Sequence, residues 1–265
     1  MAKTIKLIYS LIVSLLLLTG LKAQTVLTHE VGIILGSGSI QTDYGVRNNF
    51  QSTFGNFGTG AGIIYYASFF KSNWQHPYFA DHFKIRGEIS YTSNKFKHRG
   101  PLVAPSKTSV ESDKLRAMHG GNRMLNLGLQ LEYYFKNFYL NKTQQFDDAK
   151  FYPYVSFGLR YNFFKPYVIS DLGDWHKDIT VLPTKWQLPG AIFEANGGTF
   201  TASVSAGVRY RMNEFWDLVA DFRYQQFFSN TVDGLNAPVV ENKRKEGMVY
   251  FTFGIVYRIP YDFRY

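Results

Sequence analysis

Between Arg123 and Phe135 the chain alternates without a break. Leu125, Leu127, Leu129, Leu131, Tyr133 and Phe135 fall on one side of an extended strand. Met124, Asn126, Gly128, Gln130, Glu132 and Tyr134 fall on the other, because successive strand side chains point to opposite faces. The result is a ribbon with one greasy and one polar face. Its length suits a tilted strand crossing a bilayer, which takes about 9–11 residues.

Seven further segments repeat the pattern, at 28–40, 59–70, 83–96, 152–164, 199–211, 217–228 and 248–259. In the fifth segment, Val155, Phe157, Leu159, Tyr161 and Phe163 oppose Ser156, Gly158, Arg160 and Asn162. In the eighth, Val249, Phe251, Phe253, Ile255 and Tyr257 oppose Thr252, Gly254 and Arg258. An even number of alternating segments separated by turn-rich stretches is the sequence mark of a bacterial membrane barrel. The expected fold is therefore all-β, an eight-stranded antiparallel up-and-down transmembrane β-barrel. Aromatic residues at 18% and charged residues at only 18% suit such a chain. Beyond the N-terminus no apolar run approaches the roughly 18 residues of a spanning helix, so a membrane location requires a closed barrel.

Residues 1–23 read as a cleaved signal peptide, with Lys3 and Lys6 before an apolar run from Leu7 to Leu18 and a cut after Ala23. The barrel then occupies 24–265. Losing Lys3, Lys6 and Lys22 takes the formal charge from +9 to +6, with no clustering of the kind that binds nucleic acid. There is no cysteine, which excludes disulfides and thiolate chemistry.

Connection lengths orient the barrel. Inward (periplasmic) connections are expected at 71–82, 136–150 and 212–216. Outward ones are expected at 41–58, 97–121, 165–198 and 229–247, each longer than every inward one. Rings at strand ends form two expected belts. Phe69, Phe83, Tyr133, Phe135, Tyr210, Trp216 and Tyr257 mark the inner one, and Tyr91, Phe163, Phe200, Tyr224 and Phe251 the outer.

Glycine separates a membrane barrel from a soluble one whose apolar face points inward. Gly32, Gly62, Gly128, Gly158, Gly207 and Gly254 lie mid-strand on the polar face, where a water-facing surface has no need of them. A narrow eight-stranded lumen, filled by side chains, does need small residues beside large ones. The same face carries Glu30, Lys84, Arg86, Glu88, Glu132, Arg160, Arg209, Asp221, Arg223 and Arg258. Buried charges must pair, so these predict a lumenal salt-bridge network and no open pore. Leu125, Leu127, Leu129, Leu131, Phe157, Val204, Phe222 and Phe253 are expected to face lipid.

No catalytic, cofactor or metal site is expected. His29, His76, His82, His98, His119 and His176 are scattered and lack HxH or HExxH spacing. Ser170, Asp171, Asp174 and His176 lie close together in the longest outer loop and carry the alternative of a hydrolase-like rim enzyme. A soluble barrel binding a hydrophobic ligand is a third reading. The basic string Asn242-Lys243-Arg244-Lys245 would face outward, towards lipopolysaccharide phosphates. Near the C-terminus, Thr252, Gly254, Tyr257 and Ile259 match the last-strand pattern read by barrel-assembly machinery, and the chain ends on the aromatic Tyr265.

Several strings carry a resemblance: His29-Glu30-Val31-Gly32 with Leu35-Gly36, Asp43-Tyr44-Gly45, Asp113-Lys114-Leu115-Arg116-Ala117-Met118-His119-Gly120, and Val232-Asp233-Gly234-Leu235-Asn236. In these the chain resembles the PorG-like small outer-membrane barrels of Bacteroidota, a group associated with type IX secretion. The resemblance implies a non-enzymatic structural or docking role. The partner it implies is a periplasmic lipoprotein or ring complex; the apolar face and the basic outward string add outer-membrane lipid and lipopolysaccharide, and the charge pattern adds no nucleic acid.

Overall fold

The computed structural model describes residues 27–46, 49–69, 77–137, 150–238 and 245–260. The segment read as a signal peptide and the residues after Pro260 lie outside them, as do His76, the side chain of Phe69 and most of the basic string at 242–245. Eight strands follow one another in chain order: β1 (Leu27–Gln41), β2 (Phe57–Phe69), β3 (Phe83–Lys97), β4 (Met118–Tyr134), β5 (Phe151–Ser170), β6 (Gly197–Arg211), β7 (Trp216–Phe227) and β8 (Gly247–Arg258). Each pairs antiparallel with its neighbours, and β1 pairs with β8 to close the barrel. Closure leaves no open sheet edge within the wall, so the backbone amides and carbonyls there are paired without help from solvent.

The register keeps each strand's two faces intact around the cylinder. Ile89, Leu127 and Tyr161 align on the outside, while Glu88, Gly128 and Arg160 align on the inside. β4 and β5 reach further than the alternation of apolar and polar residues suggested, β4 starting at Met118 and β5 ending at Ser170. Beyond the pairing of Phe164 with Gly197, β5 continues with β4 as its one strand neighbour. Pro166 falls in that stretch, where the missing N–H leaves no ladder bond unmade on the free side.

The connections correct one expectation. Residues 42–56, between β1 and β2, are one fewer than residues 135–150 at the opposite end, so not every outward connection is the longer. The ends still differ in kind. The loop end carries 98–117, 171–196 and 228–246, together with two short helices, α1 (Phe50–Gly55) and α3 (Val110–Ala117). The turn end carries α2 (Pro77–His82) and a four-residue hairpin connection, 212–215. In that hairpin Asn213 Oδ1 accepts from the backbone N–H groups of Phe215 and Trp216, both at 2.9 Å.

Candidate functional site

The interior is layered from the turn end to the loop end. Nearest the turns, Glu30 accepts from Lys84 Nζ at 2.8 Å and from Arg209, while Arg209 Nε donates to Asp217 at 2.6 Å. Arg258 also donates to Asp217, at 2.5 and 2.6 Å, and its side chain is the one member of this group with substantial exposure, 21%. Asp217 is fully buried and joins this network, although it is not one of the ten charges read from the sequence as lumenal. Tyr66 lies among these cations, 5.0 Å from the Arg209 guanidinium and 5.9 Å from Lys84 Nζ.

At mid-height Glu88 is a hub. Arg160 donates to both its oxygens (2.8 and 3.0 Å), Arg223 to both (3.2 and 3.0 Å), Arg86 to one (2.9 Å) and Ser90 to one (3.1 Å). The surplus positive charge is met by Glu132, 3.5 Å from Arg86, and by Asp221, 3.3 Å from Arg223 and 3.8 Å from Arg86. Two tyrosine hydroxyls complete the layer, Tyr134 donating to Glu132 at 2.7 Å and Tyr154 to Asp221 at 3.1 Å. The structure therefore brings all ten predicted lumenal residues into the barrel interior, in two connected groups. Apart from Arg258 these groups are buried, and a carboxylate with several charge-assisted bonds offsets part of the burial penalty of its partners.

Glycine makes the filling geometrically possible. A Cβ at Gly207 would lie 2.4 Å from Tyr154 Cζ, and one at Gly128 would lie 3.1 Å from the Arg160 guanidinium. The lumen is not uniformly polar, however. Ile34, Ile64, Val219 and Val256 point inward and pack with Tyr66, an apolar cluster that the reading of a polar inner face did not foresee.

Towards the loop end the polar filling gives way to a pocket of about 10 Å³ beside Glu88, room for one water, lined also by Met124, Met248 and Tyr250. Above it the loops close over the mouth as a second hydrophobic core. Tyr44, Leu182, Trp186, Val232 and Leu235 from the connections pack against Ile40, Phe96, Phe164, Phe227 and Met248 from the strands. Hydrogen bonds fix the arrangement. Asp43 N donates to Asp233 Oδ2 (2.7 Å), Asn122 Nδ2 to the Val232 carbonyl (2.7 Å), and Phe193 N to the Gly234 carbonyl (2.9 Å). Two of the strings that carried the sequence resemblance, at 43–45 and 232–236, thus meet across the mouth. A third, in α3, is held by Glu111, whose carboxylate accepts from Thr184 N and Oγ1 at 3.0 and 2.9 Å. Those bonds hold it below the ordinary range for a glutamate.

The residues of the rim-enzyme reading do not assemble into a nucleophile and its base. Ser170 Oγ donates to the Val181 carbonyl at 3.4 Å and accepts from Leu172 N, whereas His176 bridges Asp174 (3.1 Å) and Glu194 (3.0 Å) and stacks on Trp175. Asp171 lies 3.7 Å from His119 instead. Among the described residues no group of three potential ligands could hold a metal ion.

The outer wall is the reverse of the lumen. Leu125, Leu127, Leu129, Leu131, Phe157, Val204, Phe222 and Phe253 all point outward and are exposed, Leu129 at 62%. Ile33, Leu35, Ile63, Ile89, Leu159 and Phe251 continue the band around the cylinder. Water-soluble monomers rarely expose a contiguous apolar surface above a few hundred Å², and this band encircles the molecule. Aromatic rings mark its turn-end margin, with Phe83 5.2 Å from Tyr133, Phe151 4.8 Å from Tyr210 and Trp216 4.9 Å from Tyr257. At the other margin Tyr161 meets Phe163 and Phe200 at 4.8 and 4.9 Å. An outward apolar band between aromatic girdles, around a filled polar interior, is the wall of a membrane-spanning barrel.

No family model matches the chain, and no curated protein matches it. Among solved structures it is similar to the attachment invasion locus protein Ail of Yersinia pestis (12% identity, covering 88% of this chain and 99% of that one, TM-score 0.42). It is also similar to Neisserial surface protein A (12% identity, 87% and 97%, TM-score 0.41). A third likeness is to a major outer membrane protein of Thermus thermophilus (12% identity, 87% and 99%, TM-score 0.47). The fold of this chain is a closed eight-stranded antiparallel β-barrel with the apolar outer wall of a membrane-spanning one.

Proposed function

We propose that the protein is a non-conducting, non-enzymatic barrel of the bacterial outer membrane that anchors or docks another component of the envelope. The observation that carries this reading is the doubly closed interior. Glu88 and its three arginines fill the middle, and the loop core covers the mouth. Among the described residues these leave a solute no open path, and no catalytic group faces a cleft. What the barrel presents to its surroundings is its wall and its two ends. The resemblance to PorG-like barrels supports a place in a machine such as the type IX secretion apparatus, with a periplasmic lipoprotein or ring complex at the turn end.

Two measurements test it. In planar bilayers the purified barrel should give no conductance steps; steady single-channel currents would remove the sealed-anchor reading. Photocrosslinkers at Glu214 and Lys136, both exposed at the turn end, should capture a discrete periplasmic partner in intact cells. Asp217 is unsuitable because it is buried. Absence of a specific adduct from either position would remove the docking role.

A further inference from the structure

Charge on the outer wall is confined to one sector. Among the described strand residues, the outward positions carry four cations, Lys95, Lys97, Arg123 and Lys165, and no carboxylate. All four are exposed, and all lie on β3, β4 and β5 at the loop end. The register sets them directly beyond the apolar band. Tyr91, Leu125 and Phe163 form one outward row; Ser93, Arg123 and Lys165 form the next. The row after that is Lys95, Gly121 and Tyr167, followed by Lys97, His119 and Ile169. Successive rows on one face stand about 6.6 Å apart along the strand. The change from hydrocarbon-compatible to cationic surface is therefore completed within one row.

Two features of this patch suit an anion. Arg123 and Lys165 are direct cross-strand partners, with Cα atoms about 4.5–5.5 Å apart, a placement in which like charges repel. Neither they nor Lys95 or Lys97 make an ion pair among the described residues. The neighbouring acid, Asp171, lies against His119. Gly121 is also buried although it sits on the outward face, because the Tyr167 ring lies over it; a Cβ there would meet the Tyr167 hydroxyl at 2.5 Å. The glycine thus seats a hydroxyl donor between the Lys95 column and the Arg123–Lys165 pair. Guanidinium, ammonium and hydroxyl groups set in adjacent rows at the boundary of a bilayer suit a phosphate held at headgroup height.

We propose that the outward face of β3–β5 binds the phosphorylated headgroup of an outer-leaflet glycolipid of the lipid A type, with Arg123 and Lys165 clasping one phosphate and Lys95, Lys97 and Tyr167 lining the space above it. The site rests on the membrane reading given above and adds its ligand class and its azimuth on the barrel. It also fixes which end faces the cell exterior.

The test uses the full-length protein purified from membranes into detergent micelles doped with lipid A, with retained lipid read by native mass spectrometry. The wild-type barrel should retain bisphosphorylated lipid A, and dephosphorylated lipid A should bind roughly tenfold more weakly. R123Q/K165Q should lose about tenfold in half-saturating lipid concentration. K95Q/K97Q should lose less, and K136Q/K150Q at the turn end nothing. Equal retention by wild type and both patch variants, with the barrel still resistant to unfolding in detergent, would overturn the site. Displacement of the lipid by inorganic phosphate at matched concentration would overturn the lipid assignment in favour of a free anion. Failure of the wild type to partition into micelles or bilayers would instead overturn the membrane reading on which the site depends.

Discussion

Replacing Glu88 with Gln leaves the side chain's volume in place but removes the single carboxylate that Arg86, Arg160 and Arg223 share. Asp221 and Glu132 would then face three guanidinium groups with no further acid in that layer among the described residues. Breaking a buried pair by removing one partner costs about 3–5 kcal/mol, and Glu88→Gln should fall in that range when unfolding by urea is followed in lipid vesicles. A loss under about 1 kcal/mol would mean that water reaches the hub. His98 supplies a prediction of the opposite charge. Its Nε2 is buried without a partner among the described residues, and its ring lies 5.0 Å from Tyr44. Burial, helped by the Lys185 charge, depresses its pKa from 6.5 to about 3. A depressed folded value means the stabilising contribution is complete above pH 6.5 and is lost as the pH falls from there towards 3. The protection factors of loop-core amides, taken against the intrinsic exchange rate at each pH, should therefore fall through that window, and His98→Gln should flatten the dependence. Both residues stood out in the sequence as a charge and a histidine, but not by partner, because the contacts join positions far apart in the chain.

At the level of the strand, the two faces are tested by neighbouring substitutions. Leu127 projects outward between Ile89 and Tyr161, and Arg at that position should destabilise the barrel by about 2–4 kcal/mol in lipid. Asn126 points inward and donates to the Ser90 carbonyl at 3.3 Å, so Asn126→Ser should cost roughly 1 kcal/mol, one hydrogen bond's net worth. Comparable losses from both, in the same vesicles, would mean the faces were exchanged. The eight strands were legible because alternation of period two is strongest where one side meets hydrocarbon and the other a polar lumen. The ends of β4 and β5 were not legible, and the reason is physical. Past Phe163 the outward residues turn polar, as at Lys165, while the inward ones turn apolar, as at Phe164 and Val168, because they now meet the loop core. The pattern inverts where the surroundings invert, so a reading that looks for a greasy outside stops several residues too soon. The loop core was hidden for a related reason. Tyr44, Leu182, Trp186, Val232 and Leu235 have no periodicity and meet only through long-range packing.

Taken as a whole, the molecule has two interiors of contrasting chemistry in series, a charged one within the wall and an apolar one beneath the loops. One element differs from the rest in how it must be assembled. The β6–β7 connection, 212–215, is four residues long and held by Asn213, whereas every other pair of strands, the β1–β8 seam included, is joined by a far longer span of chain. Loop-closure entropy grows with the span to be closed, and local contacts form soonest. Pulse-labelling during refolding into lipid should thus find amides of 201–227 protected ahead of those along the seam. Asn213→Gly should slow that early phase, because the turn loses its preset geometry. The smallest turn in the barrel then sets the direction of its birth: sheet growth starts from one hairpin and runs both ways around the circumference. β1 and β8, the strands farthest apart along the chain, meet only when the ring shuts.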